Sequence, residues 1–338
     1  MTAAGAGRTD LRKIGEFGLI RKIRAWTRTS DPSLIQGIGD DVAVMEMGEK
    51  ALLATTDILI EGVHFNRSWT DPYRLGKKSL AVNLSDIAAM GGVPRYFLIT
   101  LGLPSSLSLS FVSRLYRGLK EEAKRFDVDL VGGDTSLAER LTINICLLGE
   151  GRRRNLVFRK GARIGDDLFV SGTLGDSSLG LILLREKGSR RRSRSLIEKH
   201  LSPCPQLSLG QALANQRLAT AMIDVSDGLL ADTNHILEES KVGALLWEAR
   251  VPLSRSYKEN IGRYSKDPLS LALRGGEDYE LLFTSSPRVR TSVSSLATSL
   301  RIPVTRIGTI LPQREGLRVA RTDGKEYSPS RLGFDHFR

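Results

Sequence analysis

The chain has 338 residues, 41% of them apolar, and a formal net charge of +12. This length and apolar content predict a globular protein with a large core, most simply divided into two domains. No segment has the ~20 consecutive apolar residues that span a bilayer, and residues 1–13 lack the apolar stretch of a signal peptide. Cys146 and Cys204 are far apart and form no CxxC pair. These features predict a cytoplasmic protein with no structural zinc and no membrane partner.

The positive charge is concentrated in two runs, and neither has the features of a nucleic-acid site. Seven lysines or arginines lie between Arg185 and Lys199, and Arg152-Arg153-Arg154 forms a shorter run. No aromatic side chains that could stack on bases are interleaved with them, and no nucleic-acid-binding motif is present. We therefore expect two solvated loops and no specific nucleic-acid partner. A basic nucleic-acid-binding protein that keeps an enzyme fold is the alternative from another functional class.

Hydrophobic patterning predicts alternating strands and helices along the chain. In the first half, residues 51–56 form a buried strand that ends at Asp57, and residues 76–90 form a helix with Asp86 near one face. The other predicted elements are helices at 107–126, 176–187 and 229–240 and strands at 141–148, 168–170, 280–284 and 304–310, with a connection between the halves at 149–165. This order indicates a mixed α/β protein, and it leaves the strand order open.

Aspartates cluster with glycine or small polar residues at five places, which is unusual in a basic chain. Carboxylates that are brought together repel one another unless cations neutralise them. Oxygen ligands favour magnesium, which also binds substrate phosphates, and glycine lets backbone N–H groups approach phosphate closely. The pattern therefore predicts a magnesium-dependent enzyme that acts on a polyphosphate. The five clusters are Gly37-Ile38-Gly39-Asp40-Asp41, Thr55-Thr56-Asp57, Asn83-Leu84-Ser85-Asp86, Gly132-Gly133-Asp134-Thr135 and Asp224-Val225-Ser226-Asp227-Gly228.

The common nucleotide-binding motifs are missing from the sequence. There is no GxxxxGK[ST] loop and no pair of protein-kinase HRD and DFG motifs. If the protein uses ATP, aspartate-bound metal ions and glycine-rich backbone must therefore hold the triphosphate.

The ordered set of motifs resembles the thiamine-monophosphate kinase family of the PurM-like ATP-binding superfamily. The resemblance extends from Gly15-Glu16-Phe17-Gly18-Leu19-Ile20 through the five clusters to Gly333-Phe334-Asp335-His336-Phe337. It also includes Glu61-Gly62-Val63-His64-Phe65, the segment 159–166 and Gly275-Gly276-Glu277-Asp278-Tyr279-Glu280-Leu281. The resemblance implies transfer of the γ-phosphoryl group of ATP to thiamine monophosphate.

The family resemblance also implies a fold, a partner and residue roles. The fold is α/β of the α+β type, with PurM-like domains at 1–150 and 151–338 and an N-terminal sheet that pairs across a homodimer. Transfer is direct, and no residue acts as a covalent nucleophile. Several Mg²⁺ ions are expected on Asp41, Thr55, Thr56, Asp57, Asp86, Asp134, Asp224 and Asp227. ATP is expected on Gly133, Asp134, Arg159 and Ser226, and thiamine monophosphate on His64, Glu277 and Phe334.

Several of these residues also have plain structural interpretations. Asp40 is typical of a turn, as is Asp134 after its glycine pair, and Asp86 alone is typical of a solvent-facing helix residue. Ser226 is a candidate N-cap for the helix that follows it. His64 alone would more often be structural, Arg159 a surface charge, and Phe334 a packing residue. Where family members often have an aromatic residue before the terminal glycine motif, this chain has Arg331-Leu332.

Two other enzymes of the superfamily are alternatives. A selenophosphate synthetase commonly uses a nucleophilic cysteine near its N-terminus, whereas the first cysteine of this chain is Cys146. An aminoimidazole ribonucleotide synthetase lacks the combination of motifs at 61–65 and 275–281. Both alternatives would still be ATP-dependent enzymes.

Overall fold

The computed structural model describes residues 11–27, 29–186, 194–334 and 337. Elements of the first half are α1 (Leu11–Trp26), β1 (Leu34–Gln36), β2 (Ala43–Met47), β3 (Lys50–Ile60), α2 (Pro72–Ala89), β4 (Val93–Leu103), α3 (Leu109–Phe126), β5 (Asp129–Leu137) and β6 (Thr142–Arg152). Elements of the second half are β7 (Asp167–Ser171), α4 (Asp176–Arg185), α5 (Arg194–Leu201), α6 (Leu207–Asn215), β8 (Ala221–Asp224), α7 (Leu229–Ser240), β9 (Val242–Trp247), α8 (Arg255–Asn260), α9 (Ser270–Arg274), β10 (Leu281–Ser285), α10 (Arg290–Leu300), β11 (Val304–Pro312), β12 (Leu317–Ala320) and β13 (Glu326–Tyr327).

The first half is a six-stranded sheet in the order β1-β2-β3-β6-β4-β5. Among the described strands of this sheet, only the pair β4–β5 is parallel. Buried and partly exposed residues alternate along β3 and β6, because one face of the sheet packs on α2 and the other is open. Strand β5 lies at the sheet edge, and all of its residues are exposed.

Helix α2 lies between the two halves and is buried along most of its length. It begins at Pro72, and its N-cap Asp71 accepts hydrogen bonds from the backbone N–H groups of Tyr73 and Arg74, which otherwise lack partners in the first turn. The helix contacts β3, β4 and β6 on one side and β8 and α6 of the second half on the other. Residues of α2 can therefore meet residues of both halves.

Glycine allows α2 and α3 to cross at very short range. A Cβ atom on Gly118 would lie 1.8 Å from the carbonyl oxygen of Tyr73, which is a main-chain atom and cannot rotate away. We expect Gly118→Ala to lower the free energy of unfolding by about 2 to 3 kcal/mol, because the clash outweighs the helix propensity of alanine. Urea unfolding measures the effect, with Gly262→Ala as the matched control, since no atom lies within 4 Å of that Cβ position. A Gly118→Ala protein as stable as the wild type would contradict this packing.

The second half is a seven-stranded sheet in the order β13-β12-β9-β11-β7-β10-β8. The pair β9–β12 is parallel and the other pairs are antiparallel. Strand β8 ends at Asp224 on the edge beside α2, and α7 follows it directly. One hydrophobic core covers the sheet of the first half and continues onto β10 and α6, so the two halves share packed side chains. No described helix is long and apolar enough to cross a membrane.

The structure confirms the mixed α/β order, and the helix predicted at 229–240 matches α7. Four local predictions are wrong. Asp57 does not end a strand, because β3 continues to Ile60 and pairs with β6 along its length. Residues 132–135 lie inside β5 rather than in a turn. The N-cap of α7 is Gly228 rather than Ser226. The basic run is helical from Arg194 onward, and Arg190, Arg191 and Arg192 lie outside the described residues.

Candidate active site

Three aspartates from distant parts of the chain meet at the junction of the two halves. Asp41 precedes β2, Asp86 lies on the last turn of α2, and Asp224 ends β8. One carboxylate oxygen from each residue lies within 4.8 Å of the others. The position of α2 between the sheets brings them together, which corrects the interpretation of Asp86 as a solvent-facing residue.

Hydrogen bonds fix these carboxylates but leave buried polar atoms without partners. Thr55 Oγ1 donates to Asp86 Oδ2 over 2.5 Å, and Ser85 Oγ donates to Asp224 Oδ2 over 2.6 Å. The Arg159 guanidinium donates to Asp41 Oδ1 over 2.7 Å. Among the described residues, nothing hydrogen-bonds to Asp41 Oδ2 or to Arg159 Nε, although both atoms are buried. A buried acceptor and a buried donor without partners indicate a site for a ligand.

Burial and mutual repulsion disfavour the charged form of these carboxylates. Burial, and next the charge of Asp41, raise the pKa of Asp224 to about 8. Burial raises the pKa of Asp57 to about 6, and burial with the neighbouring Asp41 raises that of Asp40 to about 7. A cation at this position would reverse the effect by stabilising the ionised forms. The oxygen-only ligand set fits Mg²⁺.

Asp40 has a structural role beside this cluster. Its carboxylate accepts hydrogen bonds from the backbone N–H groups of Asp41 and Arg159, at 3.0 Å and 3.2 Å. It therefore fixes the turn that presents Asp41 and holds the segment carrying Arg159 against it. This geometry agrees with the interpretation of Asp40 as a turn residue.

A second acidic group lies at the start of α7. Ligand atoms of Asp227, Asp232 and His235 lie within 4.8 Å of one another. Asp232 is buried and accepts hydrogen bonds from the backbone N–H groups of Asp227 and Gly228 at 3.2 Å and 3.0 Å. Burial lowers the pKa of His235 to about 3, so the ring is neutral. Asp232 and His235 were not predicted from the sequence, where the only local signal is an acidic residue in the first turn of a helix.

A cavity of about 600 Å³ lies between the halves and is lined by the three residues predicted for thiamine monophosphate and by Ser226, one of the four predicted for ATP. A smaller cavity of about 470 Å³, between α3 and β5, contains none of them. His64 also has a structural role, because its Nδ1 accepts a hydrogen bond from the Ile60 backbone N–H over 3.0 Å. The larger cavity is lined by the predicted residues Asp57, His64, Ser226, Asp227, Glu277 and Phe334, together with others that include Trp69, His200 and Arg331.

Two further polar residues line or support this cavity and were not predicted. Lys78 of α2 and His200 of α5 both contact the Glu277 carboxylate, at 3.1 Å and 3.0 Å. Lys78 and His200 are only 2% and 3% exposed. A lysine within an amphipathic helix gives no local sign that it is buried and paired.

Three predicted residues lie away from the aspartate cluster. Thr56 faces the open side of the sheet, where its Oγ1 accepts a hydrogen bond from Asn144 Nδ2 over 3.0 Å. Gly133 and Asp134 lie on β5, which is separated from β3 by β6 and β4, or roughly 14 Å at the usual strand spacing. Gly133 also has a packing role, because a Cβ atom there would lie 1.9 Å from the carbonyl oxygen of Ile99.

The sequence of this chain matches two family models and several curated proteins. Residues 39–150 match the AIR synthase related protein, N-terminal domain, and residues 163–320 match the AIR synthase related protein, C-terminal domain. The thiamine-monophosphate kinase of Aquifex aeolicus (strain VF5) is 41% identical over 329 residues, which cover 97% of this chain and 99% of the relative. The thiamine-monophosphate kinase of Bacillus subtilis (strain 168) is 34% identical over 330 residues, which cover 96% and 99%.

Solved structures agree with these sequence matches. The structure described as "AaThiL complexed with AMPPCP and TMP" superposes with a TM-score of 0.85 and 38% identity, over 98% of this chain and 100% of that chain. The hydrogenase maturation protein HypE of E. coli shares only the fold, with a TM-score of 0.71 and 21% identity, over 91% of this chain and 96% of that chain. The two matched segments cover most of the sequence, and the relatives align nearly end to end. The chain therefore belongs to the thiamine-monophosphate kinase family of the PurM-like superfamily.

Proposed function

We propose that this protein transfers the γ-phosphoryl group of ATP to thiamine monophosphate, giving thiamine diphosphate and ADP in the last step of thiamine diphosphate biosynthesis. The observation that carries the proposal is the cavity between the halves, which extends from Glu277 and His64 to Asp57 beside the aspartate cluster. An acceptor held at the first two residues would place its phosphate near the carboxylates. The relative whose solved complex contains AMPPCP and TMP has the same fold over its whole length.

The aspartate cluster is the proposed magnesium site. Asp41, Asp57, Asp86 and Asp224 would hold ions at the junction of the halves, with Asp227 at the start of α7 as a further ligand. Thr55 supports Asp86 through a hydrogen bond rather than facing the cavity itself. When bound there, magnesium supplies positive charge that neutralises the phosphate oxygens of both substrates.

The protein residues bind and orient the two anionic substrates. Arg159, whose planar guanidinium suits bidentate phosphate contact, is held beside the cluster by Asp41 and would bind ATP together with Ser226. The acceptor is itself a phosphate oxygen that is largely ionised near neutral pH, so no strong general base is needed. Orientation of the acceptor opposite the departing ADP is then the main contribution of the site.

We expect direct transfer without a phosphorylated enzyme. The aspartates that line the site serve better as metal ligands than as nucleophiles, because coordination draws electron density from the carboxylate. Both substrates must then be bound together. Incubation with γ-labelled ATP and Mg²⁺ alone should leave no label on the denatured protein. Stoichiometric label that the native protein later passes to thiamine monophosphate would establish a two-step route instead.

Ligand binding tests the substrate assignment separately from turnover. With Mg²⁺ and a non-hydrolysable ATP analogue present, thiamine monophosphate should raise the unfolding temperature, because a ligand that binds only the folded state stabilises it. Thiamine, which lacks the phosphate that the aspartate-bound ions would attract, should raise it much less. Equal shifts with both compounds would argue against the monophosphate as the acceptor.

We further propose that the first sheet pairs with that of a second copy. The open face and the edge of this sheet carry apolar side chains whose exposure to water is unfavourable. Gly133 and Asp134 lie on the edge strand, near which the nucleotide would bind. Val131→Lys at this edge should shift the protein from dimer to monomer in sedimentation, whereas Leu109→Lys on α3 should not. A monomeric wild type would contradict the proposal. The exposed side chains include Ile58, Tyr96, Leu98, Leu130, Val131 and Leu137.

The domain division and the location of the protein are also proposals. We assign the domains to residues 1–150 and 151–338. A division in this region is supported because β6 belongs to the first sheet and β7, the next strand, belongs to the second. We propose a cytoplasmic location, because Cys146 and Cys204 are both unpaired thiols and the curated relatives are bacterial biosynthetic kinases.

A further inference from the structure

Glu277 is held by two cationic or donor groups that converge on one of its oxygens. Lys78 Nζ lies 3.1 Å from Oε2, and His200 Nδ1 lies 3.0 Å from the same atom. The carboxylate only accepts hydrogen bonds, so the His200 contact requires the ring proton on Nδ1. Ser177 Oγ lies 3.1 Å from the same ring nitrogen and restricts the ring orientation.

The other carboxylate oxygen is left for a ligand. Within the described part of the chain, no group donates a hydrogen bond to Glu277 Oε1, and the residue lines the cavity between the halves. Burial tends to raise the pKa of Glu277, but Lys78 and then His200 lower it well below the usual range. The carboxylate is therefore ionised, and its uncommitted oxygen is a strong acceptor.

The backbone alone does not determine this orientation. Glu277 has a left-handed conformation with φ of 65°, and its N–H donates to the carbonyl oxygen of Ser226 over 2.8 Å. These features place the Cα atom, whereas a glutamate side chain still has three rotatable bonds. The contacts from Lys78 and His200 hold the Glu277 side chain in one rotamer. Fixing a long side chain in this way costs conformational entropy.

We propose that Lys78 and His200 are positioning residues that hold Glu277 with Oε1 directed at bound thiamine monophosphate. The inference rests on the proposed function and deepens it. The amino group of the thiamine pyrimidine ring is an N–H donor that such an oxygen would accept. Lys78 lies eight residues before Asp86 on α2, so about 12 Å of one helix separates the backbone positions of these two residues. The same helix therefore carries a partner of Glu277 and a member of the aspartate cluster.

Replacement of Lys78 tests this assignment by steady-state kinetics. Lys78→Met should raise KM for thiamine monophosphate about 10- to 100-fold, the range expected when a hydrogen bond to a charged group no longer orients its partner. KM for ATP should change little. Lys77→Met is the matched control, because Lys77 is the preceding residue and pairs with Glu121 and Glu122 outside the cavity. An unchanged KM for thiamine monophosphate in Lys78→Met would overturn the proposal.

A double substitution separates positioning from direct binding. If Lys78 acts through Glu277, then Lys78→Met should add nothing to the KM already raised by Glu277→Gln. Multiplying effects would show that Lys78 contacts the substrate by itself and would also overturn the proposal. If Lys78→Met does not fold, the pair His200→Leu and His200→Asn carries the test, since asparagine keeps a donor near the position of Nδ1 and should retain more affinity. If the proposed function itself is wrong, the wild-type protein will not phosphorylate thiamine monophosphate. That result is distinct from an active wild type whose KM is unaffected by Lys78→Met.

Discussion

Asp86→Asn is expected to lower turnover about a thousandfold, a magnitude typical of removing one electrostatic stabiliser from an active site. Asp86 belongs to the cluster, with one carboxylate oxygen within 4.8 Å of oxygens from Asp41 and Asp224. Burial, followed by the charges of Asp57 and Asp224, raises its pKa well above the usual value. Asparagine has nearly the same shape and removes a charge that the metal-free protein accommodates poorly, so the variant should fold.

The measurements are turnover with ATP, Mg²⁺ and thiamine monophosphate, and urea unfolding in the presence of a chelator. The metal-free variant should be at least as stable as the metal-free wild type, because a repelling carboxylate has been removed. Asp323→Asn, at an exposed turn, is the matched control and should change neither quantity. Near-normal turnover in Asp86→Asn would remove this residue from the mechanism.

Arg159→Met is expected to lower turnover with saturating thiamine monophosphate by about 100- to 1,000-fold and to raise KM for ATP. An arginine that neutralises a transferring phosphoryl group contributes on this scale or more in phosphoryl-transfer enzymes. Its Nη2 donates to Asp41, whereas its Nε is buried without a partner and is left to donate to a phosphate oxygen. Arg159→Lys should recover only part of the activity, because an ammonium keeps the charge but cannot make the bidentate contact.

Stability must be measured alongside activity for this residue. Removing one partner of a buried ion pair costs about 3 to 5 kcal/mol, and Asp41 is only 9% exposed. Arg163→Met, an exposed position four residues later, is the control for general loss of charge. An Arg159→Met protein with normal KM for ATP and normal turnover would show that the arginine serves the fold alone.

The sequence predicted the helices now seen as α2, α3, α4 and α7, and the mixed α/β order, because hydrophobic periodicity is a local signal. It did not predict α1, α5, α6, α8, α9 or α10. It misplaced β5 because glycine is depleted in strands, so Gly132-Gly133 favoured a turn. Only the close approach of this strand to Ile99 makes glycine necessary there. The length of β3 was underestimated for a similar reason. Polar residues at its end suggested a terminus, whereas pairing with β6 continues the strand to Ile60.

The site was predictable where its residues stand in motifs and hidden where they do not. Asp41, Asp86 and Asp224 each lie in a short cluster whose repeated chemistry predicts metal binding. Lys78 is 199 residues from Glu277 along the chain, and nothing near it signals a buried partner. Only the packing of α2 between the two sheets creates this contact.

Product analysis is the most direct test of the central claim. The purified protein would be incubated with ATP and Mg²⁺, and with thiamine monophosphate or thiamine in separate reactions, and the products separated by chromatography. We expect thiamine diphosphate and ADP in equal amounts from thiamine monophosphate, no phosphorylated product from thiamine, and no reaction when a chelator removes the metal. Phosphorylation of thiamine, without conversion of thiamine monophosphate, would contradict the assignment of this site.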